Sequence, residues 1–359
     1  MKRMCNTGGM LIILSVFLLF GCQPSSENQT DSERKTYVIA WSHYTAWEVF
    51  QYLDQSDILR KWEDKYDVDV DFRLINDYAE SIALYTAGNF EGILVTNLEA
   101  LSIPGVGGVD SKAIVVTSSS NGNDGLVAKG ISNIEELRGQ SVLLVQYSVS
   151  HYLLSRALTE NGMTLDDVEL SNANESDIDA VYMNSEPPAA ISTWNPILIR
   201  IKDSPGANLL FDSSRLPGEI VELLFVRPEV PDEVNMAIVG AWHDAMALLH
   251  GPDSEQKTEM LAILAESSGG TLDEYMRQFE TTRFFPTAEE AADFLEDSAY
   301  MESMDKVRTF TFDAGLYGEG ASSKDIVGMR FPGGGVLGDE NRVVLEFDSS
   351  YLRRLSEEQ

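Results

Sequence analysis

Along most of the chain, short runs of β-branched and apolar residues alternate with segments whose apolar positions recur at helical spacing. Tyr37 to Trp41 reads as a buried strand, and Trp47 to Tyr66 has helical period through Val49, Leu53, Ile58, Leu59 and Trp62. Val68 to Ile75 alternates strictly, Tyr78 to Ala87 is helical, and Gly92 to Thr96 is a third strand. Strands alternating with helices predict a parallel α/β sheet. Ala113 to Thr117 and Gly125 to Ala128 flank a Ser/Asn/Gly stretch, after which a second α/β series begins. It reads as a short helix at Ile134 to Leu137, a strand at Ser141 to Val145, a helix from His151 to Asn161, and strands at Val168 to Leu170 and Ala189 to Ser192 around a helix at Asp177 to Tyr182. Strands at Asn208 to Phe211 and Ile220 to Val226 precede a stretch expected to be almost wholly helical from Pro231 to Met304. Val343 to Phe347 follows as a last strand. Two α/β units joined by two crossings predict a two-lobed clamshell, with lobe 1 formed by residues 37–118 plus 227–359 and lobe 2 by 119–226, hinge crossings included.

The N-terminus follows another pattern. Lys2 and Arg3 precede an unbroken apolar run of eleven residues, Met10 to Phe20. A membrane span needs roughly 20 apolar residues, so this run fits the core of an export signal. It ends in Leu19-Phe20-Gly21-Cys22, which resembles a bacterial lipobox, with Phe20 bulkier than that pattern usually shows. Residues 1–21 are therefore expected to be a lipoprotein signal peptide, Cys22 the lipidated residue, and residues 22–36, polar and aperiodic, a flexible tether.

Charge narrows the function. The 359 residues carry 58 Asp+Glu against 26 Lys+Arg, a formal net charge of −32. Such a surface repels a phosphate backbone, so nucleic-acid binding is not expected. The two cysteines, Cys5 and Cys22, build neither a zinc cluster nor a disulfide framework. His43, His151, His243 and His250 are dispersed. No phosphate-cradling glycine loop, H-E-x-x-H or G-x-S-x-G motif occurs, so neither a cofactor nor an enzyme is expected.

In open α/β sheets, ligands bind beyond the carboxyl ends of strands. Those positions hold Trp41 and Tyr44, Asn76 and Asp77, Thr96 and Asn97, Asn123 and Asp124, Ser148, Ser150 and His151, Trp194 and Asn195, and Glu219. The set suits a small polar ligand held by hydrogen bonds and covered by rings. Each position also has a structural reading. Trp41 and Trp194 can be core aromatics, Asp77, Ser148 and Ser150 helix caps, Asn123-Asp124-Gly125 a turn, Glu219 a solvated carboxylate, and His151 a packing residue.

Taken together, Trp41-Ser, Ile75-Asn-Asp-Tyr78, Tyr85 to Gly92, Thr96 to Leu101, Gly107 to Asp110, Asn121 to Gly125, Ser148 to Leu154, Thr193-Trp-Asn-Pro196, Phe211 to Ser214, Pro217 to Ile220 and Val307 to Leu316 resemble the extracytoplasmic substrate-binding proteins of ABC importers. The resemblance is to the nitrate/taurine/sulfonate type, and within it to the branch encoded beside urea carboxylase genes and labelled as urea binding. It implies an α/β type II periplasmic-binding-protein fold with an interlobe cleft, no catalysis, and hinge closure over one small molecule. It also implies an exported monomer, anchored to a bacterial membrane, that works with an ABC permease and ATPase. The strand ends present Asp77, Glu99, Asp124 and Glu219 without Arg or Lys, which favours a planar cation, guanidinium first and urea second, over nitrate or a sulfonate.

Overall fold

The computed structural model describes residues 34–187 and 189–358. The expected signal peptide, Cys22 and nearly all of the expected tether lie outside the described residues.

Fourteen strands are described: β1 (Thr36–Trp41), β2 (Asp69–Leu74), β3 (Gly92–Thr96), β4 (Ser111–Ser120), β5 (Asp124–Lys129), β6 (Ser141–Leu144), β7 (Glu169–Asn172), β8 (Ala189–Trp194), β9 (Ala207–Asp212), β10 (Val221–Val226), β11 (Thr282–Phe284), β12 (Gly328–Arg330), β13 (Val336–Leu337) and β14 (Val343–Phe347). They form two sheets. The first has the order β13-β12-β14-β4-β10-β3-β1-β2, with β11 added on β4, and the second has the order β7-β6-β8-β5-β9.

The sheets are mixed rather than purely parallel. β1 lies parallel to β2 and β3, and β6 parallel to β7 and β8. β10, however, runs antiparallel between β3 and β4, and β5 antiparallel between β8 and β9. The cause is the pair of crossings. The chain leaves the first sheet along β4, enters the second along β5, and comes back from β9 into β10, so β5 and β10 each run against both neighbours, while β4 stays parallel to β14. Val221–Val226, grouped with the second lobe on sequence, therefore sits inside the first sheet.

Three other departures have local causes. The helix expected over Trp47 to Tyr66 is two, Val49–Gln55 and Asp57–Tyr66. Ser56 between them is extended, at φ −102° and ψ 159°, and its amide and hydroxyl both bond the Leu53 carbonyl. The expected helical run after Pro231 is interrupted by β11, where Thr282-Arg-Phe284 pairs with the end of β4. The C-terminal Ser350–Glu358, on which the sequence reading was silent, is a helix that buries Tyr351, Leu352 and Leu355.

The larger core is continuous through both lobes, from Ile39 and Val95 in the first sheet to Leu126 and Val142 in the second. Helix Asp232–His250 lies across Asp57–Tyr66, and Trp242 stacks on Phe50 with ring centroids 5.1 Å apart. Close approach is possible because position 240 is glycine: a β-carbon there would stand 2.5 Å from atoms of the Trp62 ring. Trp62 is fixed in turn by its indole N–H, which donates to Asp244 at 2.7 Å. Gly240→Ala is therefore expected to destabilise the protein by about 1–3 kcal/mol through overpacking. Denaturant unfolding would show this as a lower midpoint, and an unchanged midpoint would mean the helices separate freely.

Candidate functional site

Register between neighbouring strands assembles the site. In the first sheet Glu222 of β10 is the partner of Thr96, the last residue of β3, and of Ser118 on β4. In the second sheet Asp124, the first residue of β5, is the partner of Trp194, the last residue of β8. Paired residues on adjacent strands share a face. Where the two sheets meet, Glu222, Thr96, Asp124 and Trp194 line one cavity together with Tyr44, Trp47 and Tyr78. His43, Val149 and Ile220 complete the lining. The cavity volume is about 20 Å³. One water needs roughly 10–15 Å³ on that scale, so as it stands the cavity has room for one or two waters, and a larger guest enters only if the surrounding rings move apart.

The walls are rings and the polar groups are acids. Tyr44, Trp47 and Tyr78 form a chain with centroids 5.2 and 5.6 Å apart. The Trp47 indole N–H donates to Thr117 at 3.3 Å, and the Tyr78 hydroxyl accepts from the Thr96 amide at 3.0 Å. Ser118 donates to one oxygen of Glu222 at 2.8 Å, and Ser120 to one oxygen of Asp124 at 2.5 Å. The other oxygen of each, Glu222 Oε1 and Asp124 Oδ1, is buried with no hydrogen-bond partner among the described residues. Both side chains are about 1% exposed, and no lysine or arginine among the described residues pairs with either. Burial pushes the Asp124 carboxyl up to about 7. Burial, with the Asp124 charge adding to it, pushes Glu222 up to about 8. An ionised carboxylate in such a place is stable only beside a cation.

Of the residues expected at strand ends, Tyr44, Thr96, Asp124 and Trp194 reach the cavity. Asp77 and Ser148 line a neighbouring crevice, and both also cap helices: Asp77 accepts from the Glu80 amide and Ser148 from the Ser150 amide. Trp41 does not reach either space. It is 1% exposed in the first-lobe core, with its indole N–H donating to the Phe72 carbonyl at 3.2 Å. Asn76 is exposed and its side-chain oxygen meets His43 at 3.3 Å. Asn97 is buried, donating to the Glu219 carbonyl and accepting from the Val221 amide, so it fastens the returning crossing. Asn123 and Asn195 bond each other at 2.6 Å, and Asn123 also bonds Tyr44, Thr281 and Thr282. That network supports the Tyr44 ring from behind rather than facing a ligand. Ser150 and His151 are buried on helix Val149–Glu160, whose first residue lines the cavity though they do not, and His151 packs edge-on against Phe310.

Glu219 departs from the reading of an unpaired strand-end acid. It is 4% exposed, and it accepts from Arg156 and Lys306, each at 2.8 Å, and from the Tyr152 hydroxyl at 2.6 Å. These partners hold its carboxyl below the ordinary range despite its burial. It forms a buried ion pair at the crossing and is not among the cavity-lining residues. Glu99 is likewise satisfied, by the Thr96 and Tyr78 hydroxyls and the Val149 amide.

The expected site did not include Glu222, Trp47 or Tyr78, although Trp47 and Tyr78 follow closely on strand-end residues. For Glu222 a signal existed: it is the one charged residue in the apolar run Ile220-Val-Glu-Leu-Leu-Phe-Val226, which is buried along its whole length. Among the described residues no group of three His, Cys, Asp or Glu side chains could hold a metal ion, and no helix is long and apolar enough to cross a membrane.

The raised carboxyls predict a pH dependence. An acid whose folded value lies above its unfolded value, near 4, contributes stability that is full below pH 4 and lost as pH rises through the folded value. For Asp124 and Glu222 that window runs from about 4 to about 8. Thermal unfolding of the ligand-free protein should show wild type falling, relative to the Asp124→Asn/Glu222→Gln variant, by several degrees between about pH 5 and pH 9. A difference that stays constant with pH would mean that the two acids are not buried uncompensated.

The chain matches no protein-family model and no curated protein in sequence. Among solved structures it is similar to the alkanesulfonate-binding protein SsuA from Xanthomonas axonopodis pv. citri bound to MOPS, with TM-score 0.63, 13% identity, and 79% of this chain and 94% of that one covered. It is similar also to the Candida albicans CA3427 gene product, described as exhibiting the generic periplasmic binding protein structural fold, with TM-score 0.59, 11% identity, and 80% and 92% covered. A third likeness is to the desulfurization enzyme DSZB, with TM-score 0.54, 13% identity, and 78% and 93% covered. At such identities the likeness establishes the fold: two α/β lobes of the type II periplasmic-binding-protein class.

Proposed function

We propose that the protein is the extracytoplasmic substrate-binding component of an ABC importer, exported and held at a membrane through a lipid on Cys22. In this reading it captures a small planar nitrogen compound, guanidinium first and urea second, and presents its closed form to permease and ATPase subunits. The observation that carries the reading is the pair of buried carboxylates, one on a strand of each sheet, each with an oxygen free of hydrogen bonds inside a ring of aromatic side chains. Guanidinium offers only N–H donors, in a plane that matches a carboxylate, and a face that suits the rings. A ligand contacting an acid from each sheet favours the closed arrangement over the open one, which is the differential affinity that closure requires. Urea has the same shape without the charge and binds more weakly. An alkanesulfonate, the ligand class named for the Xanthomonas protein, would meet like charge at Asp124 and Glu222.

The rival reading is an enzyme, since the fold also serves a desulfurization enzyme. It would need a nucleophile beside a base at the cavity. His43, Asp124 and Glu222 in the lining could act as bases, but no serine or cysteine lines it with them, and His151 is not in the lining, its Nδ1 accepting from the Tyr147 amide at 3.3 Å.

Isothermal titration with guanidinium, urea, nitrate and taurine tests the ligand. Guanidinium is expected to bind tightest, and Asp124→Asn or Glu222→Gln to weaken it by about ten- to a hundred-fold, the worth of a charge-assisted hydrogen bond. Because the empty site holds protons that a cation displaces, affinity should rise between about pH 6 and pH 8.5. Tight binding of an anion, with none of guanidinium, would overturn the assignment. Anchoring is tested separately: Cys22→Ser should move the protein from the membrane fraction to the soluble one, and unchanged membrane association would remove the lipid from the account.

A further inference from the structure

The cage does not end at its rings. Tyr78 and Trp194 line the small cavity on one side and, on the other, a crevice of about 350 Å³ between the lobes. Much of the crevice wall is apolar: Ile82 and Ile103 from the first lobe, Val145 and Tyr147 from the second, and Leu316 after the long C-terminal helices. Ile103 is 40% and Tyr147 52% exposed, among the few large apolar side chains of the described residues left in contact with solvent. Tyr147 is also held in a conformation that residues other than glycine adopt rarely, at φ 71°. Its amide is tied to His151 Nδ1, and its ring lies 5.9 Å from the His151 ring. A strained backbone that keeps an apolar ring exposed beside a binding cavity points to a contact made only when ligand is present.

The charged groups of the crevice set a second condition. Asp77, Glu99 and Glu175 line it together with the apolar residues. Burial pushes Glu175 up to about 7, with the Asp77 charge adding to it. A substituent ending in a carboxylate would enter a field of its own sign.

We infer that the crevice takes an uncharged alkyl substituent on the nitrogen of the cation whose head the cage holds, so that the preferred ligands are N-alkylguanidinium ions rather than the bare ion. The inference rests on the cation reading of the cage. Tyr78 and Trp194 stand where the head meets the chain, and Ile103, Tyr147 and Leu316 select for its apolar length. Burying one methylene is worth roughly a fourfold gain in affinity.

Calorimetric titration of the protein with guanidinium, N-methylguanidinium, N-butylguanidinium and 3-guanidinopropionate tests this. N-butylguanidinium should bind at least about tenfold tighter than guanidinium, and 3-guanidinopropionate weaker than N-butylguanidinium. Ile103→Asn and, independently, Tyr147→Ala should shrink the preference for the butyl compound severalfold while leaving the affinity for guanidinium within about twofold, since neither side chain lines the cage. Equal or weaker binding of N-butylguanidinium, beside measurable binding of guanidinium, overturns the crevice inference alone. Failure of every guanidinium compound to bind overturns the cation reading and the inference together.

Discussion

Two buried carboxylates to which no lysine or arginine is paired among the described residues are the constraint on which the site depends. Asp124 and Glu222 belong to different sheets, line one cavity, and are both almost fully buried. Ionised together they repel each other in a medium that screens poorly, and each also forfeits the water it would have in an open cleft. Protonation of either acid relieves this, in keeping with the raised values of both. On the cation reading proposed above, a ligand that gives both acids a partner would relieve it more completely and so would favour the closed arrangement.

Other polar networks keep that arrangement in place without touching its chemistry. Asn123 and Asn195 hold the first crossing against β8 and brace Tyr44, while Asn97 and the Glu219 cluster fasten the second. Glu219 and Glu222 lie three residues apart, and their environments differ in kind. Glu219 has Arg156, Lys306 and Tyr152 around it and stays ionised, while Glu222 has only hydroxyls beside it, Ser118 and Tyr44, and no cation. The first is compensated within the fold and the second is not.

The contrast explains which parts of the site could be read from the sequence. The alternation of strands and helices and the two crossings were legible, since period and turn residues are local signals. Asp124 and Trp194 were found because they flank the ends of β5 and β8 that face the cleft. Trp41 and Glu219 were drawn in by the same rule, which gives the position of a residue along its strand but not the direction of its side chain or the presence of a partner. Glu219 finds Arg156 and Lys306 at separations of 63 and 87 residues, which no local pattern reports. Glu222 was missed because it is the second residue inside an apolar strand, whereas the reading took its candidates from crossings and strand ends, and nothing local shows that β10 brings it beside Thr96.

A crystal structure of the protein grown with guanidinium chloride at millimolar concentration tests the central claim most directly. The account predicts a planar ion between Asp124 and Glu222, hydrogen-bonded to Asp124 Oδ1 and Glu222 Oε1 and stacked among Tyr44, Trp47, Tyr78 and Trp194. An anion in that cavity, or a basic side chain moved in to pair with the two acids, would contradict it.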